Sequence, residues 1–230
     1  MCGRIIVDYD ENMAVAGNTE LSSWMQGIPD GAESSWNLSP TQAVPVAYTS
    51  PKSGEKHFDL AYWSMVPTWS KTLKLKYPTF NARSETVSEK PTFKGSLAEK
   101  RCVIPVSGFY EWEGSKEARV PHAIFGPLKV LPLAGLYSWW RDPAAPEGEG
   151  WQMTTTILTR ASAGVMESLH DRMPVFLDDE ILHVWLDPKV TGDQLLVDAA
   201  SELAVPYSDR LTEYRVKPLR GNGRALIEPA

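Results

Sequence analysis

The stretch Arg101–Gly114, RCVIPVSGFYEWEG, decides how the fold is read. β-Branched and aromatic residues crowd it, and apolar alternation predicts a strand over 102–113. Such a strand places Tyr110 and Trp112 on one face and Phe109, Glu111 and Glu113 on the other. A carboxylate hemmed in by three aromatic rings, as Glu111 is, is expected to be partly desolvated and suited to carrying a proton. A lone glutamate on a strand is, however, more commonly exposed or salt-bridged.

Outward from this stretch, the same alternation predicts strands near 3–8, 43–49, 58–66, 121–125, 130–138 and 151–159. Helical spacing predicts helices near 10–26, 88–100, 161–169, 179–187 and 191–204. Asp178 and Thr191 stand where N-caps belong, so Asp178, Asp179 and Glu180 are read as helix-end electrostatics and not as metal ligands. RDPAAPEGEG at 141–150 reads as a loop between strands. Strands dominate the first two thirds and helices gather later, and eighteen prolines keep many elements short. The sum is an α+β domain built around antiparallel sheet.

A chain of 230 residues is long enough to bury its own core without staples. It holds no apolar run of membrane-span length. The opening MCGRIIVDYDENMAV lacks the basic start and long apolar stretch of a secretory signal. Cys2 and Cys102 are too few for a disulfide framework, so a reducing cytosol is the expected compartment. The four histidines, His57, His122, His170 and His183, are scattered and no Cys-x-x-Cys occurs, so no metal and no cofactor are expected. Net charge is −6, which argues mildly against nucleic acid, yet residues 71–101 hold eight Lys/Arg against three Glu. A local basic field of that size can hold a phosphate backbone on an otherwise acidic protein, although on charge alone a solvated face is the simpler reading.

Four positions could do chemistry. Loss of Met1 would give Cys2 a free α-amine beside its thiol. An α-amine titrates near 8, so roughly a tenth is unprotonated at neutral pH, a few hundred-fold more than for a lysine. It is a ready nucleophile for an aldehyde, and the neighbouring thiol can close onto the imine carbon to form a five-membered thiazolidine. Most free cysteines are nonetheless only small buried side chains. Glu111 is the candidate proton carrier. His170, in ESLHDRMP, follows a helical stretch and precedes Pro174, which predicts a loop, where functional groups concentrate. In TFNARSET, Asn81 offers a donor and an acceptor, and Arg83 a planar fork suited to phosphate.

Taken in order, Met-Cys-Gly-Arg, NLSP at 37–40, FNARSET at 80–86, GFYEW at 108–112 and LHDRMP at 169–174 strongly resemble the SRAP family. These are the SOS-response-associated peptidases, also described as abasic-site processing proteins. The resemblance runs from Met1 to the closing ALIEP. It implies one domain over 1–230 with a barrel-like core and flanking helices, acting as a monomer. It also implies covalent cross-linking to abasic sites in single-stranded DNA, whose ring-opened sugar carries an aldehyde. Carried over by motif, Cys2 supplies amine and thiol, Asn81 holds the Cys2 backbone and the sugar, Glu111 shuttles the ring-opening proton, and His170 assists imine formation and reversal. Arg4, Arg83 and Arg172 match positions near DNA phosphates, and Pro40 and Trp69 match positions that stack on or wedge between bases. A cytoplasmic protein that joins the nucleoid when DNA-bound is the implied location.

The sequence departs from the family pattern twice. Ser64 replaces glycine in Trp63-Ser64-Met65-Val66-Pro67-Thr68-Trp69, and Lys217 stands where asparagine is expected. Rival readings remain at this point. A class II glutamine amidotransferase also exposes an N-terminal cysteine, with the thiol as nucleophile, but leaves FYEW and HDRMP without roles. A thiol peptidase cleaving its own N-terminus would be compatible with the DNA role. A plain binder of single strands through 71–101 would bind salt-sensitively and never covalently.

Overall fold

A computed structural model describes residues 2–9, 19–114 and 118–230. In chain order it contains β1 (Ile5–Val7), α1 (Thr19–Ser22), β2 (Ser35–Leu38), β3 (Ala43–Thr49), β4 (Lys56–Trp63) and β5 (Asn81–Arg83). There follow α2 (Pro91–Glu99), β6 (Arg101–Val106), β7 (Gly108–Glu113), β8 (Val120–Phe125), β9 (Leu131–Arg141) and β10 (Trp151–Ala161). The chain closes with β11 (Arg172–Pro174), α3 (Asp179–Leu186), α4 (Gln194–Ser208) and β12 (Thr212–Arg215). This is the expected α+β architecture.

Two sheets are built from these strands. In the larger one, β10, β4, β3, β6 and β9 pair in succession, and β9 returns to β10, closing a five-stranded barrel. Only the β4–β10 contact within that ring is parallel. β5 and β11 attach to β10 beyond the ring, on its two opposite edges. The smaller sheet runs β12-β8-β7-β1-β2. His122 on β8 stitches it, with Glu113 of β7 at 3.2 Å and Glu213 of β12 at 2.5 Å.

The 102–113 run is two strands, not one. The break falls at Ser107, after which the chain leaves the barrel for the smaller sheet. There the Asp8 N–H donates to the Ser107 hydroxyl at 3.0 Å and the Ser107 N–H to the Ile6 carbonyl at 2.8 Å. Gly108 makes the crossing possible: a Cβ there would meet the Ile124 carbonyl oxygen and the Phe125 ring at 2.8 Å. The face assignment within β7 agrees with the alternation. Phe109 joins the main core, whereas Tyr110 and Trp112 pack in a second cluster with Ile6, Val216 and the C-terminal tail. Burying one phenylalanine contributes about 1.5–3 kcal/mol, so a one-residue slip of β7 would forfeit both clusters at once.

Other boundaries shift for local reasons. The helix expected near 10–26 lies mostly outside the described residues, which retain only α1. The stretch 161–169 forms a short 3-10 helix, Gly164–Ser168. Asp178 does cap α3, accepting from the Ile181 N–H at 3.2 Å. The cap of α4 is Asp193 and not Thr191, because the Asp193 carboxylate accepts from the Leu196 N–H at 3.0 Å. Arg101, counted above in the basic run, is buried and spends its guanidinium on the carbonyls of Leu97, Ala98, Trp185, Asp187 and Val190. It ties the ends of α2 and α3 to the barrel and adds nothing to the surface field.

Candidate active site

Residues ahead of β1 continue its ladder. The β1–β7 register sets Ile5 against Phe109, and the Tyr110 N–H donates to the Arg4 carbonyl at 2.9 Å. The chain start is therefore laid along β7 toward Glu111, and Cys2 is fully buried. From the other side comes β5, a three-residue strand aligned parallel to β10, with Asn81 against Ile157 and Arg83 against Thr159. Ala82 points into the core, so Asn81 and Arg83 share the opposite face. The Asn81 side-chain Nδ2 donates to the Cys2 carbonyl at 2.8 Å. Its Oδ1 is buried without a hydrogen-bond partner, an acceptor aimed at something the fold itself does not supply.

Glu111 is 2% exposed, as the aromatic surroundings predict. Burial pushes the Cys2 thiol far above its ordinary range, and the nearby Glu111 carboxylate pushes it further the same way. Cys2, Asn81 and Glu111, 109 positions apart at the extremes, thus meet in one place. His170 sits in the turn between the Gly164–Ser168 helix and β11. Its Nδ1 lies 2.9 Å from the Arg172 backbone N–H and 2.7 Å from the Asp171 carboxylate. β11 borders β10 on the edge opposite β5, with Thr159 facing Arg83 on one side and Pro174 on the other.

The residues matched to DNA contacts divide into two kinds. Arg83 and Trp69 are exposed, Trp69 at 64% on a turn closed by the Ser70 N–H to the Pro67 carbonyl. Pro40 opens another turn, closed by the Gln42 N–H to the Ser39 carbonyl at 3.2 Å, in which Thr41 has φ +78°. That is the glycine position of a type II turn, so a β-branched residue there stores strain. The other two arginines already have partners. Arg4 donates to Asn37 Oδ1 at 3.0 Å, and Asn37 in turn donates to the Gly221 carbonyl. Arg172 makes a forked pair with Glu85, at 2.5 and 2.9 Å, and donates to the Thr159 carbonyl. Its pull holds the Glu85 carboxyl below the usual carboxylate range.

Asn37, Thr41 and Glu85 were not singled out from the sequence. Asn37 and Glu85 lie inside the quoted NLSP and FNARSET segments, but Arg172 is 87 residues from Glu85, and no spacing rule joins them. Thr41 follows the Pro of NLSP, and Pro at the second position of a turn was the available signal. Ser64, the departure from glycine, turns its hydroxyl to Thr79 at 2.9 Å. Among the described residues, no group of His, Cys, Asp and Glu is arranged to hold a metal ion and no helix is long and apolar enough to cross a membrane.

Comparison with known proteins bears on the same residues. The abasic site processing protein YoqW of Bacillus subtilis (strain 168) is 34% identical over 238 residues, covering 99% of both chains. The abasic site processing protein HMCES of Xenopus tropicalis is 31% identical over 200 residues, covering 74% of this chain and 59% of that protein. A crystal structure from Bordetella bronchiseptica superposes with a TM-score of 0.72 at 25% identity, over 94% of this chain and all of the other. One from Bacteroides thetaiotaomicron, at 20% identity and a TM-score of 0.76, covers both chains completely and supports the fold. With the SOS response associated peptidase model matching residues 1–222, from the buried cysteine past the last strand, the chain belongs to the SRAP family.

Proposed function

We propose that this protein captures abasic sites in single-stranded DNA as a thiazolidine formed by Cys2 once Met1 is gone. The observation that carries the reading is the Asn81 hydrogen bond to the Cys2 carbonyl, made beside the buried Glu111. It fixes the backbone of the reacting residue while the second Asn81 atom, Oδ1, awaits a donor such as a sugar hydroxyl. The names of the relatives above point to the same substrate.

The steps balance without a cofactor. Glu111 moves a proton that opens the sugar to its aldehyde. The Cys2 amine adds to the carbonyl carbon and water leaves, giving the imine. The thiol then adds across the C=N bond: sulfur bonds to carbon and its proton ends on nitrogen. His170, whose ring is oriented by the Arg172 backbone N–H and the Asp171 carboxylate at Nδ1, moves protons as water leaves or returns. The exposed Trp69 and the Pro40 turn offer faces to bases, and Arg83 offers charge to phosphate. Arg4 keeps further N–H donors for phosphate beside its bond to Asn37, whereas Arg172, forked onto Glu85, reaches phosphate by giving up part of that pair.

The amidotransferase and thiol-peptidase readings need the thiol to attack first, and burial favours its protonated form over a standing thiolate. Here the amine attacks first, and the thiol adds only when an electrophilic carbon is already beside it. Purified protein mixed with single-stranded DNA carrying one abasic site should give a denaturant-resistant conjugate whose peptide map ends at Cys2. Cys2→Ala should abolish it. Undiminished conjugation by Cys2→Ala, or an adduct on protein that retains Met1, overturns the proposal.

A further inference from the structure

A groove of about 800 Å³ opens at the end of β10 away from Asn81. Trp151 in its wall and Ile157 opposite Asn81 are six residues apart, about 20 Å along the strand. The groove exists because the one parallel contact of the barrel comes apart there. β4 and β10 are registered at Tyr62–Thr154 and Trp63–Thr155. Toward their N-terminal ends β4 is registered only with β3, and β10 only with β9, among the described residues. Two strand edges therefore face one gap, each with alternate N–H and C=O groups directed into it.

The gap's lining has a definite chemistry. Trp139 and Trp151 are exposed on one face of the β9–β10 ladder, since Trp139 is registered with Met153 and Trp151 with Arg141. Tyr62 adds a third ring, and Asp30, Asp59 and Asp142 bring three carboxylates, while no Lys, Arg or His lines the space. Asp59 accepts from the Tyr48 hydroxyl and Asp142 from the Ala144 N–H, but neither bond cancels the charge, and aromatic faces beside carboxylates attract ammonium and guanidinium groups and repel phosphodiesters. The acidic groove and the exposed cations Lys71, Lys74, Lys76 and Arg83 thus ask for opposite partners.

We propose that this groove binds an extended lysine- or arginine-bearing segment of a partner protein, which adds a strand along the open β4 edge. Main-chain pairing supplies the hold, and basic side chains at every second residue reach the indoles and aspartates. The inference is independent of the Cys2 chemistry: the groove lies toward the end of β10 away from Asn81, although the loop that carries Trp69 and Lys71 borders it through Leu73 and through the Ser70 carbonyl, which accepts from Trp140 Nε1.

A labelled peptide of about ten residues alternating lysine with threonine, long enough for one strand, is the probe, with a glutamate–threonine peptide as its control. Fluorescence anisotropy should show saturable binding of the lysine peptide alone. Trp151→Ala and Asp30→Lys, both at exposed positions, should each weaken it about threefold or more, with abasic-DNA conjugation unchanged. Equal binding by both variants overturns the proposal. So does a free triamine that displaces the peptide at equal charge concentration, which would mean charge without a strand. Single-stranded DNA whose binding falls with Trp151→Ala, with no peptide bound, would make the groove a base-stacking surface and also end it.

Discussion

Replacing Asn81 by Asp changes one heavy atom of the side chain and should slow the reaction for a reason that can be titrated. In the wild-type protein Nδ2 donates to the Cys2 carbonyl at 2.8 Å. A carboxylate oxygen in that place donates nothing and confronts the carbonyl oxygen directly. Cys2 is fully buried, so its carbonyl cannot turn to water for a replacement donor. A buried acceptor left unsatisfied costs about 1–3 kcal/mol. If that cost falls on the productive placement of Cys2, conjugation slows by about five- to 150-fold. Asn81→Ala loses the bond without adding repulsion and belongs at the mild end of that range. Acid should partly rescue Asn81→Asp and not Asn81→Ala, because protonating the introduced carboxyl restores a donor. The ratio of its rate to wild type should therefore rise as pH falls through the introduced carboxyl's titration, which burial and the neighbouring Glu111 place above the ordinary carboxylate range. The assay is single-turnover conjugation to fluorescent abasic single-stranded DNA, quenched in denaturant and resolved on a gel. A rate for Asn81→Asp equal to wild type, or slow with a pH-independent ratio, refutes the argument that this hydrogen bond orients the nucleophile.

Two further expectations concern the walls of the site. Thr41→Gly removes a side chain from φ +78° and should relieve strain of about 1–3 kcal/mol, less about 0.5–1 for glycine's added freedom when unfolded. Calorimetry should show Tm rising by about 2–4 °C for each kcal/mol of net gain, and a lowered Tm means that the turn holds less strain than glycine's added freedom costs. Glu85→Gln tests the pair with Arg172. The Glu85 carboxyl is held low first by its hydrogen bond from Arg172, so its contribution is complete above the ordinary carboxylate range and lost as pH falls through its own lower value. Its side chain is 48% exposed, so the contribution is no more than about 1 kcal/mol. Denaturant curves of wild type and Glu85→Gln should differ at neutral pH and converge on acidification, and a constant gap would refute an ionic origin.

How much of this was legible in the sequence depends on where each residue's partner lies. β3 agrees with its predicted bounds, and β8 with its own to within one residue, because alternation along each strand reports a face that packs on a core. β5 and β11 escaped, since three residues carry no period, and each is a strand only because β10 lies beside it. The break at Ser107 escaped for the same reason: its hydroxyl's partner is Asp8, 99 residues away. Thr191 lost the cap of α4 to Asp193, two residues on, where a carboxylate meets the first turn better than position alone suggests. The Cys2–Asn81 contact spans 79 residues, and only the order of the family's motifs, not any spacing within them, anticipated it.

If Cys2 becomes the terminus as proposed, that contact also answers why a reactive terminus would be built into a sheet. The first residues of a domain ordinarily fray, and a frayed amine meets a scarce aldehyde no more often than a solution amine does. The Tyr110 N–H to the Arg4 carbonyl, the Asn81 amide to the Cys2 carbonyl and the burial of Cys2 hold this terminus instead. Holding it desolvates the thiol and favours its protonated form. For an amine-first capture the same burial is useful, because a protonated, enclosed thiol survives until an imine forms within its reach, and the ring then closes where water has little access to reopen it.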